Sequence, residues 1–270
     1  MSVMAERILE VLDVVPIEKL KIHEQTIEKN VTGLKETMLN IGRLVDPLIV
    51  DRKNYIVLDG NHRRQVLEML KASLAVCQLV NYEDKEIQVG GWFPAAKELP
   101  SGMESFKGER VDFEAGITAI SKKEAYFMLV EDVEKKNCTL FPTESTSLSE
   151  VIGSQQRMLK KINGENGTEN GKFAYFEDVF ADDALSQEFK VLYRKPYTKE
   201  EIVSEALAGR PLPPKSTRHM IPNRIIRLNL PLGWLYEDRE DAKGKLEDMV
   251  RKRAVHHNVR RYTEPVIVIY

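Results

Sequence analysis

The amino-acid sequence predicts an α/β (α+β) protein of two domains, and three observations carry that expectation. Short β-branched runs such as Pro47-Leu-Ile-Val50 and Tyr55-Ile-Val-Leu58 alternate with stretches whose apolar residues recur at helical spacing. The chain has 270 residues, more than the roughly 100 to 200 residues of a usual single domain. The regular alternation loosens after Trp92-Phe-Pro94 into a longer mixed region. A first domain over residues 1–95 and a second over 96–270 follow from this.

Within the first domain, residues 11–20 read as a short strand closed by Pro16. A helix comes next, with Ile27, Val31, Leu34 and Met38 on one stripe and Gly42 as its C-terminal stop. The two strands already quoted flank a polar turn, Asp51-Arg-Lys-Asn54, and the second runs straight into Asp59-Gly60. There the period changes: Val66, Leu67 and Leu70 form a helical stripe, so Asp59–Arg64 joins a strand end to a helix start. Ala75–Val80 returns as a strand. Beyond residue 95, Tyr126–Val130 and Thr139–Phe141 read as strands and Leu148–Ile162 as a helix, followed by an Asn/Gly-rich loop over 163–171. Thr198 as N-cap with Glu201 three residues on predicts a helix that Gly209 stops. A charged helix over about 237–253 and an apolar strand over 265–269 close the chain.

Composition narrows the function. Lys plus Arg number 40 against 42 Asp plus Glu, a formal charge of -2, so nothing global favours wrapping DNA or lying on anionic lipid. An anionic ligand has to meet a local basic site. Two cysteines, Cys77 and Cys138, make neither a disulfide framework nor a zinc cluster and fit a reducing cytosol. The apolar runs fall short of the roughly 18 residues of a membrane span, and Glu6 and Glu10 interrupt the segment where an export signal needs an apolar core.

Three constellations could carry chemistry. At Asp59-Gly-Asn-His-Arg63 a strand turning through glycine into a helix aims backbone N–H groups and a helix dipole at one spot, with Asn61, His62 and Arg63 as further donors. The alternatives are a phosphate site and an ordinary polar turn. Glu24, after His23, is either a general base or a solvated acid before a helix. Lys215-Ser-Thr-Arg-His219 suits a carboxylate or phosphate, or is a solvated basic turn. Trp92 is either a packing residue or a substrate wall, and His256-His257 among its arginines reads as a solvated helix end.

Taken together, His23-Glu24, Gly42 through Pro47-Leu-Ile-Val50 and Asp59-Gly-Asn-His-Arg63 resemble the ParB/sulfiredoxin-like fold over about the first 95 residues. Adding Trp92-Phe-Pro94, Pro196–Glu201, Pro214–His219, Leu228–Leu232 and Arg261–Val266, most of the chain is similar to the free L-serine kinases of that superfamily. Asn61 stands where sulfiredoxins carry a catalytic cysteine, and no tandem-helix DNA-reading module follows residue 95.

The resemblance implies a cytoplasmic enzyme that makes O-phospho-L-serine for cysteine or diaminopropionate synthesis, from L-serine and magnesium-bound ATP or ADP. It implies Glu24 as general base and Asp59 as an acidic residue implicated in catalysis, orienting the hydroxyl or a magnesium-bound water. Gly60, Asn61, His62 and Arg63 would cradle the nucleotide phosphates. Trp92, Lys215, Ser216, Thr217, Arg218 and His219 would hold serine across a cleft, with no nucleic-acid or membrane partner. The alternative within the superfamily is a CTP-binding, DNA-associated regulator of the ParB class.

Overall fold

The computed structural model describes residues 3–163 and 173–262. The Asn/Gly-rich segment beyond Asn163 and the strand expected over 265–269 lie outside the described residues, as does the end of the Arg261–Val266 stretch. Chain contacts define two compact units. One comprises the chain up to Ile22, Val31–Ile87 and everything from Ile221 onward; the other comprises His23–Asn30 and Gln88–Met220. The expected boundary at residue 95, with all later residues in one domain, is thereby replaced by an interleaved division. Its cause is the C-terminal helix Arg239–Val255, which puts Ala242, Leu246 and Val250, four residues apart, into the core of the first unit. Each such burial contributes about 1 to 3 kcal/mol.

The first unit is built on a five-stranded mixed sheet in the order Leu12–Pro16, Leu74–Val80, Leu48–Asp51, Ile56–Asp59, Lys21–Ile22. Leu48–Asp51 runs parallel to Leu74–Val80, with Leu48 opposite Cys77, and antiparallel to Ile56–Asp59. These central strands are apolar almost throughout because both faces are covered, so periodicity alone does not separate them from helix. The turn between the two hairpin strands is held by Asp51, whose carboxylate accepts the N–H groups of Lys53 and Asn54 at 3.3 and 2.9 Å. The helix Glu28–Ile41 ends at Gly42, whose φ is +63°.

The second unit holds a six-stranded antiparallel sheet in the order Ala174–Glu177, Trp92–Ala96, Lys190–Tyr193, Ala125–Val130, Cys138–Pro142, Glu109–Val111. Alternate residues of Ala125–Val130 serve two cores. Met128 and Val130 pack with Ile120, Ala184 and Leu185, while Phe127 and Leu129 pack with Val151, Met158 and Ile162. Helices therefore cover both faces. The close approach on the first face requires glycine at Gly116, where a methyl group would overlap the Met128 sulfur. A separate two-stranded ribbon pairs Gln88–Gly90 with Arg218–Met220. The stretch expected as a loop over 215–219 thus enters a strand at Arg218. No helix among the described residues is long and apolar enough to cross a membrane.

Candidate active site

In the first unit, the strand Ile56–Asp59 passes through Gly60 into the helix Asn61–Met69, as its sequence predicts. Gly60 has φ +102°, a backbone conformation that favours glycine, and a Cβ there would sit tightly, 3.1 Å from the Arg63 guanidinium. Asn61 is buried; His62 and Arg63 are half-buried. Arg63 is engaged within the loop: its Nη1 donates to the carbonyls of Asp46 and Pro47 at 3.0 and 2.9 Å and its Nη2 to Asp59 Oδ2 at 3.3 Å. The carboxylate of Asp59 also pairs with Arg224. Arg224 reaches it because the buried side chain of Gln78 holds the backbone on either side, donating to the Asn223 carbonyl at 3.1 Å and accepting from Ile225 N–H at 2.9 Å. Asp59 therefore faces two guanidinium groups.

In the second unit, two candidates 191 residues apart in sequence, Glu24 and Lys215, meet. The main chain of His23–Gln25 lies along Leu212: Leu212 N–H donates to His23 O and Gln25 N–H to Leu212 O, both at 2.8 Å. This sets the Glu24 carboxylate on the next turn of chain, where it accepts the N–H groups of Lys215, Ser216 and Thr217 at 2.8, 3.1 and 3.0 Å and the Thr217 hydroxyl at 2.9 Å. Lys215 has φ +58°, and such left-handed geometry turns successive N–H groups toward one anion. Since the Thr217 hydroxyl spends its proton on Glu24, it accepts from Nε2 of His23, 2.8 Å away. The rings of His23 and His219, both buried, meet edge to face at 5.1 Å.

Trp92 and Lys215 join this cluster, with the Lys215 ammonium 5.0 Å from the centre of the Trp92 ring. Arg218 does not present a free fork: its Nε lies 3.0 Å from Glu177 Oε1. Behind Trp92 and Lys215 stands Arg194, 3% exposed, at the end of the strand Lys190–Tyr193. Its Nη2 donates to the carbonyls of Trp92, at 2.6 Å, and Lys215, and its Nη1 to the Ser216 hydroxyl at 3.4 Å. Among the described residues its Nε has no partner. Burial pushes its pKa down. Asp178 accepts the Gly91 N–H at 2.9 Å, fixing the chain just before Trp92.

Of the sequence candidates, Glu24, Trp92, Lys215, Ser216, Thr217 and His219 are thus brought together, and Asp59, Gly60 and Arg63 form a second group. Arg194 and Arg224 were missed. An arginine ending the apolar run Val191-Leu-Tyr is a cue to the first; nothing local points to the second. His256 and His257 are exposed past the end of the last helix. Among the described residues no group of three or more His, Cys, Asp or Glu could hold a metal ion.

No family model matches the sequence. Among characterised proteins, the chain is 26% identical over 233 residues to the ADP-dependent L-serine kinase SerK of Thermococcus kodakarensis, covering 82% of this chain and 92% of that one. It is equally 26% identical over 233 residues to an ATP-dependent L-serine kinase of Staphylothermus marinus, covering 82% and 90%. A solved free serine kinase in complex with AMP superposes with a TM-score of 0.68 at 22% identity, over 84% of this chain and 94% of the other. SbnI of Staphylococcus aureus, with a C-terminal truncation, superposes at 0.69 and 16% identity, over 92% and 99%. The chain shares the fold of free serine kinases and of SbnI, and is related over most of its length to proteins named as ADP- and ATP-dependent L-serine kinases.

Proposed function

We propose that the chain is a free L-serine kinase that transfers the terminal phosphoryl group of ATP or ADP to the serine hydroxyl, giving O-phospho-L-serine. The observation that carries the proposal is the meeting of Glu24 with the Lys215–Thr217 N–H groups beside Trp92, and the kinship to L-serine kinases supports it. On this proposal the enzyme is cytoplasmic, needs neither nucleic acid nor membrane, and supplies phosphoserine to cysteine or diaminopropionate synthesis.

Glu24 is then the base. The serine hydroxyl takes the place of the Thr217 hydroxyl on the carboxylate and gives up its proton as its oxygen bonds to phosphorus, while the bond from that phosphorus to the bridging oxygen breaks and leaves AMP or ADP. Lys215, Ser216, Thr217 and His219 with Trp92 hold the amino acid. The helix start at Gly60–Arg63 takes the phosphates, with His62 and Arg224 as side-chain donors and Arg63 bracing the loop. Asp59, held between Arg63 and Arg224, is the loop's carboxylate. It fits a magnesium ion carried mainly by the nucleotide, which asks for only one or two protein oxygens. When bound, such an ion would neutralise charge on the phosphate oxygens.

The test mixes the protein with L-serine, magnesium and either ADP or ATP and follows phosphorus NMR. Appearance of O-phospho-L-serine with one donor is expected; its absence with both ends the proposal.

A further inference from the structure

A guanidinium buried as deeply as Arg194 normally lies against a carboxylate, because an uncompensated charge in the interior is costly. Arg194 does not. The two acids whose charge it feels, Glu24 and Asp178, give their oxygens to backbone N–H groups: Glu24 to those of Lys215, Ser216 and Thr217, and Asp178 to those of Gly91 and Val179. What Arg194 holds instead are the carbonyls of Trp92 and Lys215 and the hydroxyl of Ser216. These belong to the residues that form the ring–ammonium pair and the N–H row around Glu24. A structural arginine placed only for stability would have no reason to bind both segments of this cluster, the start of Trp92–Ala96 and the turn at Lys215–Ser216, through one planar fork while its Nε goes without a partner among the described residues.

We propose that Arg194 is the positioning residue of the amino-acid end of the site. One rigid guanidinium fixes the backbone of Trp92 against that of Lys215 and holds the Ser216 hydroxyl, and so sets both the Trp92–Lys215 distance and the aim of the 215–217 N–H groups, while its buried charge favours an anionic substrate group at that end. The recognised chemistry is a small amino acid with a free carboxylate. This rests on the serine-kinase proposal above.

Lysine keeps the charge but cannot span three acceptors from one plane, so Arg194→Lys separates charge from geometry. The chain has two tryptophans, and the second, Trp234, packs partly buried on the first unit's core. In a Trp234→Phe background the emission of Trp92 alone therefore reports serine binding without turnover. Wild-type phosphoserine formation is established first; if it fails, the kinase proposal falls and not this one. Given activity, Arg194→Lys is expected to raise both the KM for serine and the serine concentration at half-maximal fluorescence change by about tenfold or more, the effect of losing one well-placed polar anchor. The KM for nucleotide should stay within about twofold and kcat within about threefold, with Arg194→Gln worse than Arg194→Lys on serine alone. Unchanged serine binding in Arg194→Lys would overturn the proposal. So would a parallel rise in both KM values accompanied by a lower Tm, which is the signature of a residue that merely supports the fold.

Discussion

Glu24 and Thr217 are joined twice, the carboxylate accepting both the backbone N–H and the hydroxyl of Thr217, at 3.0 and 2.9 Å. A carboxylate among four donors is fixed in place, which suits a base whose reach to a hydroxyl must be set in advance. Glu24→Gln replaces one oxygen by an NH2 group that faces N–H donors, so it removes the proton acceptor and disturbs the loop together. Turnover is expected to fall by about two to four orders of magnitude with little change in nucleotide affinity. Thr217→Val, which keeps the carboxylate and its three N–H bonds, should cost far less. Steady-state kinetics on both variants checks this, and near-normal turnover in Glu24→Gln would take Glu24 out of the mechanism.

The two arginines on Asp59 separate by what else they hold. Arg63 supports the carbonyls of Asp46 and Pro47, whereas Arg224 is exposed and meets Asp59 from a segment pinned by Gln78. Arg224→Ala should weaken nucleotide binding by roughly 1.5 to 3 kcal/mol, the worth of a charge-assisted contact to phosphate, without moving Tm. Arg63→Ala should lower affinity and Tm together, because two carbonyls lose their donor. Calorimetric titration with ADP beside thermal unfolding distinguishes them; unchanged affinity in Arg224→Ala would place the phosphates away from this pair.

Local chemistry was legible in the sequence where one short segment holds its own reasons. The turn through Gly60, the stop at Gly42 and the cap at Thr198 each need only neighbours within a few residues. The strands Trp92–Ala96 and Lys190–Tyr193 escaped because each is short, the first carries a proline, and their apolar character comes from burial on both faces rather than from alternation. The site was legible as a set of residue types and not as an assembly. That Glu24 sits on the N–H groups of Lys215–Thr217 depends on pairing with Leu212 across most of the chain, and Arg194 and Arg224 act through such pairings. The return of residues from Ile221 to the first unit is of the same kind, since a polar helix with three buried residues carries no label of the core it joins.

Both cysteines should be unreactive in the folded protein. Cys77 is fully buried in the centre of Leu74–Val80, and burial, helped by the negative charge of Asp13, pushes its thiol well up; burial also raises that of Cys138. Thiolate is the reactive form, so alkylation at pH 8 should label neither until denaturant is added. The same shifts act on stability. An acid whose folded pKa is raised stabilises the fold fully below its unfolded value, here 9.0 for the thiols, and that contribution is lost as pH climbs from there. Tyr126, pushed up to about 12 by burial, extends the loss to higher pH. Tm measured across the alkaline range should fall from about pH 9 upward; rapid native labelling of Cys77 would contradict its placement.

Thr198 makes the last prediction, because its capping box can be removed without touching the site. The Thr198 hydroxyl accepts the Glu201 N–H at 3.2 Å while the Glu201 side chain accepts the Thr198 N–H at 3.0 Å. Glu201 also receives the Lys195 ammonium at 2.5 Å, so the carboxylate keeps partners when the hydroxyl is lost. Thr198→Ala leaves one N–H of the helix Lys199–Leu207 to water and should cost about 1 kcal/mol, within the usual 0.5 to 2 for such a cap. For a unit of this size that lowers Tm by about 2 to 4 °C. Thr198→Ser, which keeps an acceptor in place, should recover most of the loss. Serine and nucleotide KM should both stay at wild-type values, since none of the residues holding Glu24 or Asp59 changes. A drop in Tm that Ser does not recover would mean that the methyl group's packing, and not the hydrogen bond, holds this helix start.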